Sequence, residues 1–138
     1  MIDKSGSAVW TGSLKEGKGQ VSTESGALSA IPYSFATRFG GSQGSNPEEL
    51  LGAAHAACFS MALSNVLGGK GITPDRIETT SKVTLDPSGP AISKVHLSVA
   101  ITADADEAAL LEAAETAKVN CPVSKLYKAE ITMDARKG

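Results

Sequence analysis

The chain has 138 residues, a formal net charge of −2 and only 4% aromatic residues. Its lysines and arginines are scattered rather than gathered in a stripe, which excludes the charged groove and stacking platform of a nucleic-acid binder. A chain of this length is expected to form one domain over residues 1–138, burying roughly 70% of its unfolded surface without a covalent staple.

The opening Met1-Ile2-Asp3-Lys4-Ser5-Gly6 is polar and lacks the apolar core of a secretory signal. No apolar run is expected to approach the ~18 residues of a membrane span. The expected compartment is the cytoplasm, where permanent disulfides are uncommon.

In chain order, Ala8–Thr11 reads as a short strand and Gly17–Thr23 as its hairpin partner, with the turn between Gly12 and Gly17. Ser34–Phe39 is predicted as a further extended piece, and Gly40–Ser45 as a connector. Asn46 then caps a long helix. Pro47 takes the first position, where its missing N–H costs nothing, and Glu49 falls where a capping-box partner belongs. This helix should run to about Leu67 and stop at Gly68-Gly69. It is Ala-rich and apolar on nearly every side, which predicts a place at the centre of a core.

Ile77–Leu85 and Ile92–Ile101 alternate as two long strands, the second with Val95, Leu97, Val99 and Ile101 on one face. Asp86-Pro87-Ser88-Gly89-Pro90 supplies the turn between them. Asp104–Val119 reads as an amphipathic helix, Cys121-Pro122 as the start of a short one, and Ala129–Ala135 as the last strand. The order argues an α+β fold with antiparallel pairing.

Two cysteines carry the chemistry. Cys58 lies inside the apolar helix, and Cys121, 63 positions later, sits at the start of the short helix. Such a pair points to redox chemistry before it points to a structural bridge. The unpaired N–H groups of a helix start would favour an anionic sulfur at Cys121.

Glu48 precedes Cys58 by about 15 Å along one helix, so it cannot touch the thiol but can hold a cation that does. Arg38 offers a permanent charge and a forked donor set matched to a carboxylate. Held by Glu48 and aimed at Cys58, it would lower the thiol pKa and polarise an O–O bond. Each feature also has a plainer explanation. The thiol can be buried and inert, Cys121 can precede a proline by chance, and Glu48 can simply complement the helix dipole. Arg38 can be a solvated arginine, and Trp10 and Tyr127 core or interface residues.

A zinc site of His55, Cys58, His96 and Cys121 is a further alternative. No Cys-x-x-Cys or His-x-x-x-His pair supports it, and His96 alternates onto the polar side of its strand. No nucleotide-binding motif occurs, so no cofactor is implied.

The block Ser45-Asn46-Pro47-Glu48-Glu49-Leu50-Leu51-Gly52-Ala53-Ala54-His55-Ala56-Ala57-Cys58-Phe59, with the later Cys121-Pro122-Val123-Ser124, closely resembles the osmotically inducible protein C / organic hydroperoxide resistance (OsmC/Ohr) family. Val21–Gly26, Thr37-Arg38-Phe39 and Lys128–Thr132 extend the match, and the OsmC branch fits best. The resemblance implies antiparallel sheets wrapped around a central apolar helix in an intertwined homodimer. It also implies a thiol peroxidase that reduces hydroperoxides, organic ones in preference to hydrogen peroxide. Cys58 matches the peroxidatic cysteine, Cys121 the resolving one, and Glu48 the acid that fixes a catalytic arginine, Arg38. An external dithiol, lipoyl-type in relatives, would restore the thiols without any bound cofactor. Two other classes stay open: a stress protein binding a small apolar ligand, its thiols incidental, and a structural dimer without chemistry.

Overall fold

The structure is a computed structural model describing residues 1–138. It divides into two compact units, Met1–Leu50 and Leu51–Gly138.

In the first unit, β1 (Gly6–Thr11), β2 (Lys18–Thr23) and β3 (Ile31–Tyr33) form an antiparallel sheet in that order. The β1–β2 turn closes at Gly17, whose N–H donates to the Ser13 carbonyl at 2.8 Å. A Cβ at Gly17 would collide with the Ser13 and Thr11 carbonyls, so only glycine fits.

Ser34–Phe39 is not extended. Phe35–Phe39 forms a one-turn helix, α1. The Ser34 Oγ accepts the Thr37 N–H at 3.3 Å, while the Thr37 Oγ1 accepts the Ser34 N–H at 2.9 Å. This reciprocal capping box outweighs the β-leaning composition of the segment.

Helix α2 (Pro47–Gly69) begins as the sequence predicts, the Asn46 Oδ1 accepting the Glu49 N–H at 2.8 Å. The second unit continues with β4 (Arg76–Asp86), β5 (Ala91–Thr102), α3 (Glu107–Asn120), α4 (Pro122–Leu126) and β6 (Glu130–Lys137). Its sheet has the order β4-β5-β6. β4 and β5 are an antiparallel hairpin, but β6 runs parallel to β5, correcting the all-antiparallel expectation. The chain reaches β6 only through α3 and α4, and such a crossover returns a strand in the same direction as the one it left.

The core joins Phe59, Leu63 and Leu67 of α2 to Leu97, Val99 and Ile101 of β5, with α3 packed into the same cluster. Each such side chain contributes roughly 1.5–3 kcal/mol by leaving water. Gly52 sets the spacing of α2 from β4: a Cβ there would lie 2.8 Å from the Ser81 carbonyl oxygen.

By length and composition α2 could cross a bilayer, with a mean hydropathy of 1.5, which corrects the expectation that no apolar run approaches that length. Gly52, His55, Phe59, Leu63 and Leu67 recur at helical spacing and are buried, which makes α2 the core helix of its unit. It is not buried all round, however: Ala53, Ala57 and Met61 form an exposed stripe, with Met61 76% exposed.

Candidate active site

Arg38, near the end of α1, grips Glu48 in the first turn of α2. Its Nε donates to Oε1 at 3.1 Å and to Oε2 at 3.3 Å, and its Nη2 donates to Oε1 at 2.8 Å. Glu48 is largely buried, its side chain 12% exposed, while the arginine is more open at 37%. A forked contact of this kind fixes the guanidinium plane as well as its charge. Arg38 also lies over the Phe39 ring, 5.3 Å from its centroid. Beside it, Trp10, Leu14, Tyr33, Phe35 and Phe39 line a cavity of about 250 Å³.

Folding brings the two cysteines together. Both are free thiols, and Cys58 and Cys121 lie near each other. Cys58, expected within the apolar core of its helix, is partly exposed, and Cys121 is sealed at 0%. A residue on a helix carries one face into the core and one out of it. Cys121, at the joint between α3 and α4, has both helices packed around it.

The Cys58 thiol is pushed up from its ordinary value. Burial is the main cause and the hydrogen bond to Cys121 adds to it, while the Val123 N–H pulls the other way. No cation figures among these influences. The free amide of a helix first turn, which the sequence reading assigned to Cys121, is thus directed at Cys58.

His55, one turn before Cys58 on α2, is fully buried. Its Nε2 pairs with the Ser124 Oγ of α4 at 2.8 Å, and its Nδ1 faces the Ser81 Oγ of β4 at 3.4 Å. The Tyr127 ring meets it edge-on at 5.1 Å between centroids, and the Tyr127 hydroxyl donates to the Leu51 carbonyl at 2.9 Å. Burial pushes the imidazole pKa down, so it is neutral. His96 turns instead to Thr132 at 2.6 Å and Asp134 at 3.1 Å on β6. The histidines therefore serve two separate networks. Ser124 and Val123 were missed as contributors; their only sequence signal is their place directly after Cys121-Pro122.

Residues 40–136 match the family described as OsmC-like protein. Over 136 residues the chain is 53% identical to the Peroxiredoxin OsmC of Escherichia coli (strain K12), covering 96% of this chain and 95% of that protein. The Peroxiredoxin OsmC of Shigella flexneri matches to the same extent. Among solved structures, the organic hydroperoxide resistance protein OhrB of Bacillus subtilis superposes with a TM-score of 0.70 at 26% identity, over 95% of this chain and 97% of its own. An organic hydroperoxide resistance protein from Elizabethkingia anophelis reaches a TM-score of 0.76 at 23% identity, over 100% and 98% of the two chains, a likeness of fold alone.

Proposed function

The chain belongs to the OsmC family and is a thiol peroxidase, and we propose that it reduces organic hydroperoxides to alcohols with Cys58 as the attacking sulfur and Cys121 as the resolving one. One observation carries this assignment: thiols 63 positions apart in sequence lie near each other, the first partly exposed and the second sealed. A peroxide must reach the attacking sulfur. The resolving sulfur needs to meet only its partner.

The immediate surroundings of Cys58 favour the protonated thiol, yet the nucleophile is the thiolate. A counter-charge is therefore required. We assign it to Arg38, held in orientation by Glu48. The aromatic cavity beside Arg38 offers an apolar seat for the hydrocarbon part of the substrate, which supports a preference for organic hydroperoxides over hydrogen peroxide.

In the proposed cycle the Cys58 thiolate attacks the outer peroxide oxygen and the O–O bond breaks. Cys58 becomes a sulfenic acid, and the departing alkoxide takes a proton to become the alcohol. The Cys121 sulfur then attacks the sulfenic sulfur. An S–S bond forms, and the hydroxyl leaves with the Cys121 proton as water. An external dithiol exchanges with this disulfide, returning both thiols and becoming a disulfide itself.

The exposed Ala53, Ala57 and Met61 stripe on so apolar a helix supports a homodimer in which a second copy covers it. A reducing cytoplasm suits a pair that must be returned to thiols in every cycle. The test is to measure consumption of cumene hydroperoxide with excess dithiol by the protein and by Cys58→Ser. Loss of turnover in the variant is expected, and an undiminished rate would remove the assignment.

A further inference from the structure

Helix α4 is five residues long, and its one buried residue is a serine, Ser124. Its apolar anchorage is slight: Val123 is only partly buried and Leu126 is 75% exposed. Five helical residues without a substantial apolar face do not hold a fixed position by themselves. Polar ties hold α4 instead. The Ser124 hydroxyl meets His55 Nε2 at 2.8 Å, and the Tyr127 hydroxyl just past the helix meets the Leu51 carbonyl at 2.9 Å. Both ties end on α2, within two turns of Cys58. His55 and Ser124 are 0% and 7% exposed, so neither can exchange this bond for one to water.

The segment held in this way carries the resolving chemistry. Cys121 caps α4, and the Val123 N–H in its first turn reaches the Cys58 sulfur. Given the peroxidase cycle proposed above, the demanding step for α4 is the second one. Closing the disulfide requires the Cys121 sulfur to travel from contact distance to a bond of about 2.05 Å with a set dihedral angle. It must do so before a second peroxide oxidises the sulfenic acid irreversibly to the sulfinic acid.

We propose that the buried His55–Ser124 hydrogen bond is a positioning device that holds α4 against α2, so that Cys121 closes on the Cys58 sulfenic acid faster than a second peroxide can reach it. His55 touches neither reacting atom in this role. It is a positioning residue acting through Ser124 and the α4 backbone. Attack on the first peroxide depends chiefly on Cys58 itself and is affected much less.

The experiment separates the two steps. The reduced protein, Ser124→Ala and Ser124→Thr are each mixed with cumene hydroperoxide in several-fold excess. Thiol loss is followed in stopped flow, and quenched samples are weighed intact. One added oxygen marks the sulfenic acid, two mark the sulfinic acid, and loss of two hydrogens marks the disulfide. Losing the buried bond should cut the rate of closure relative to attack by about tenfold in Ser124→Ala, with sulfinic acid accumulating. Ser124→Thr, which keeps the hydroxyl, should restore closure. If Ser124→Ala does not fold, His55→Gln makes the same comparison. An unchanged ratio of closure to attack, or equal slowing of both, overturns the proposal. Failure of the unsubstituted protein to form either sulfenic acid or disulfide would instead overturn the peroxidase cycle beneath it.

Discussion

The Cys58 thiol on α2 lies beside Cys121, the residue that caps the short helix α4. The two thiols are therefore coupled, and the Val123 N–H of the same helix also bears on Cys58. The amide favours an anion at Cys58, and burial together with Cys121 opposes it more strongly.

Replacing Cys121 should uncouple attack from closure. Cys121→Ser is expected to consume about one equivalent of peroxide and then stall, with oxygen retained on Cys58. Intact mass after stepwise addition of hydroperoxide measures this. A variant that consumes several equivalents of peroxide while its mass stays unmodified would be incompatible with the assigned roles.

The Arg38–Glu48 pair sets a second expectation. On the proposed assignment of Arg38 as the counter-charge, its removal leaves only influences that push the Cys58 thiol up, the Val123 N–H excepted. Arg38→Ala should therefore titrate above the ordinary thiol range, while the unsubstituted protein titrates below the variant. Turnover should fall about a hundredfold, as when a preorganised electrostatic donor is deleted. Glu48→Gln, which keeps size but loosens the grip on Arg38, should fall between the two. Thiolate absorbance against pH, read in all three proteins, decides the matter.

The buried His55 predicts an acid-sensitive fold. Its pKa lies below the 6.5 of the free side chain because burial penalises the cation. Above pH 6.5 both folded and unfolded states hold it neutral, and no cost arises. As the pH falls below that value the unfolded chain takes up a proton that the folded one refuses. Stability should then drop by up to about 1.4 kcal/mol per pH unit until the folded group also protonates. Urea midpoints from pH 7 down to about 5, above the range where most carboxylates titrate, should slope downward in the parent. In His55→Gln they should stay flatter.

Gly52→Ala tests the seating of α2 on β4. In an unobstructed helix interior the change would stabilise by roughly 0.5–1 kcal/mol. Here the new methyl would lie 2.8 Å from the Ser81 carbonyl oxygen, a backbone atom that cannot swing aside. Overpacking of this sort costs about 1–3 kcal/mol, so the net effect should be destabilising. A thermal midpoint equal to or above the parent's would show that helix and strand can separate at no cost.

Much of the fold was legible from local signals. Asn46, Pro47 and Glu49 mark the start of α2 because capping chemistry is written into consecutive residues. The alternation of Val95, Leu97, Val99 and Ile101 marks the buried face of β5, and all four are fully buried. Ser34–Phe39 misled because aromatic and β-branched residues there outvoted a Ser-x-x-Thr box that spans only one helical turn. The direction of β6 depends on how α3 and α4 pack, which no single segment encodes. In the site, residue types were readable and partnerships less so. Arg38 and Glu48 announce themselves as a matched fork and carboxylate. The sealing of Cys121, the partial exposure of Cys58 and the part taken by Ser124 arise only once α4 has folded back onto α2.

The parallel placement of β6 also bears on how this chain reaches its native state. Lys94 pairs with Glu130 and Ile101 with Lys137, contacts spanning about a quarter of the sequence, whereas the β4–β5 hairpin closes over a single tight turn. The hairpin should nucleate early and β6 dock late, since distant pairings repay their loop entropy only near the end of folding. Until then one side of β5 is a free row of amides and carbonyls, open to any neighbouring strand. A translation product stopping short of Glu130 would keep that edge permanently, and such fragments should be found in the insoluble fraction.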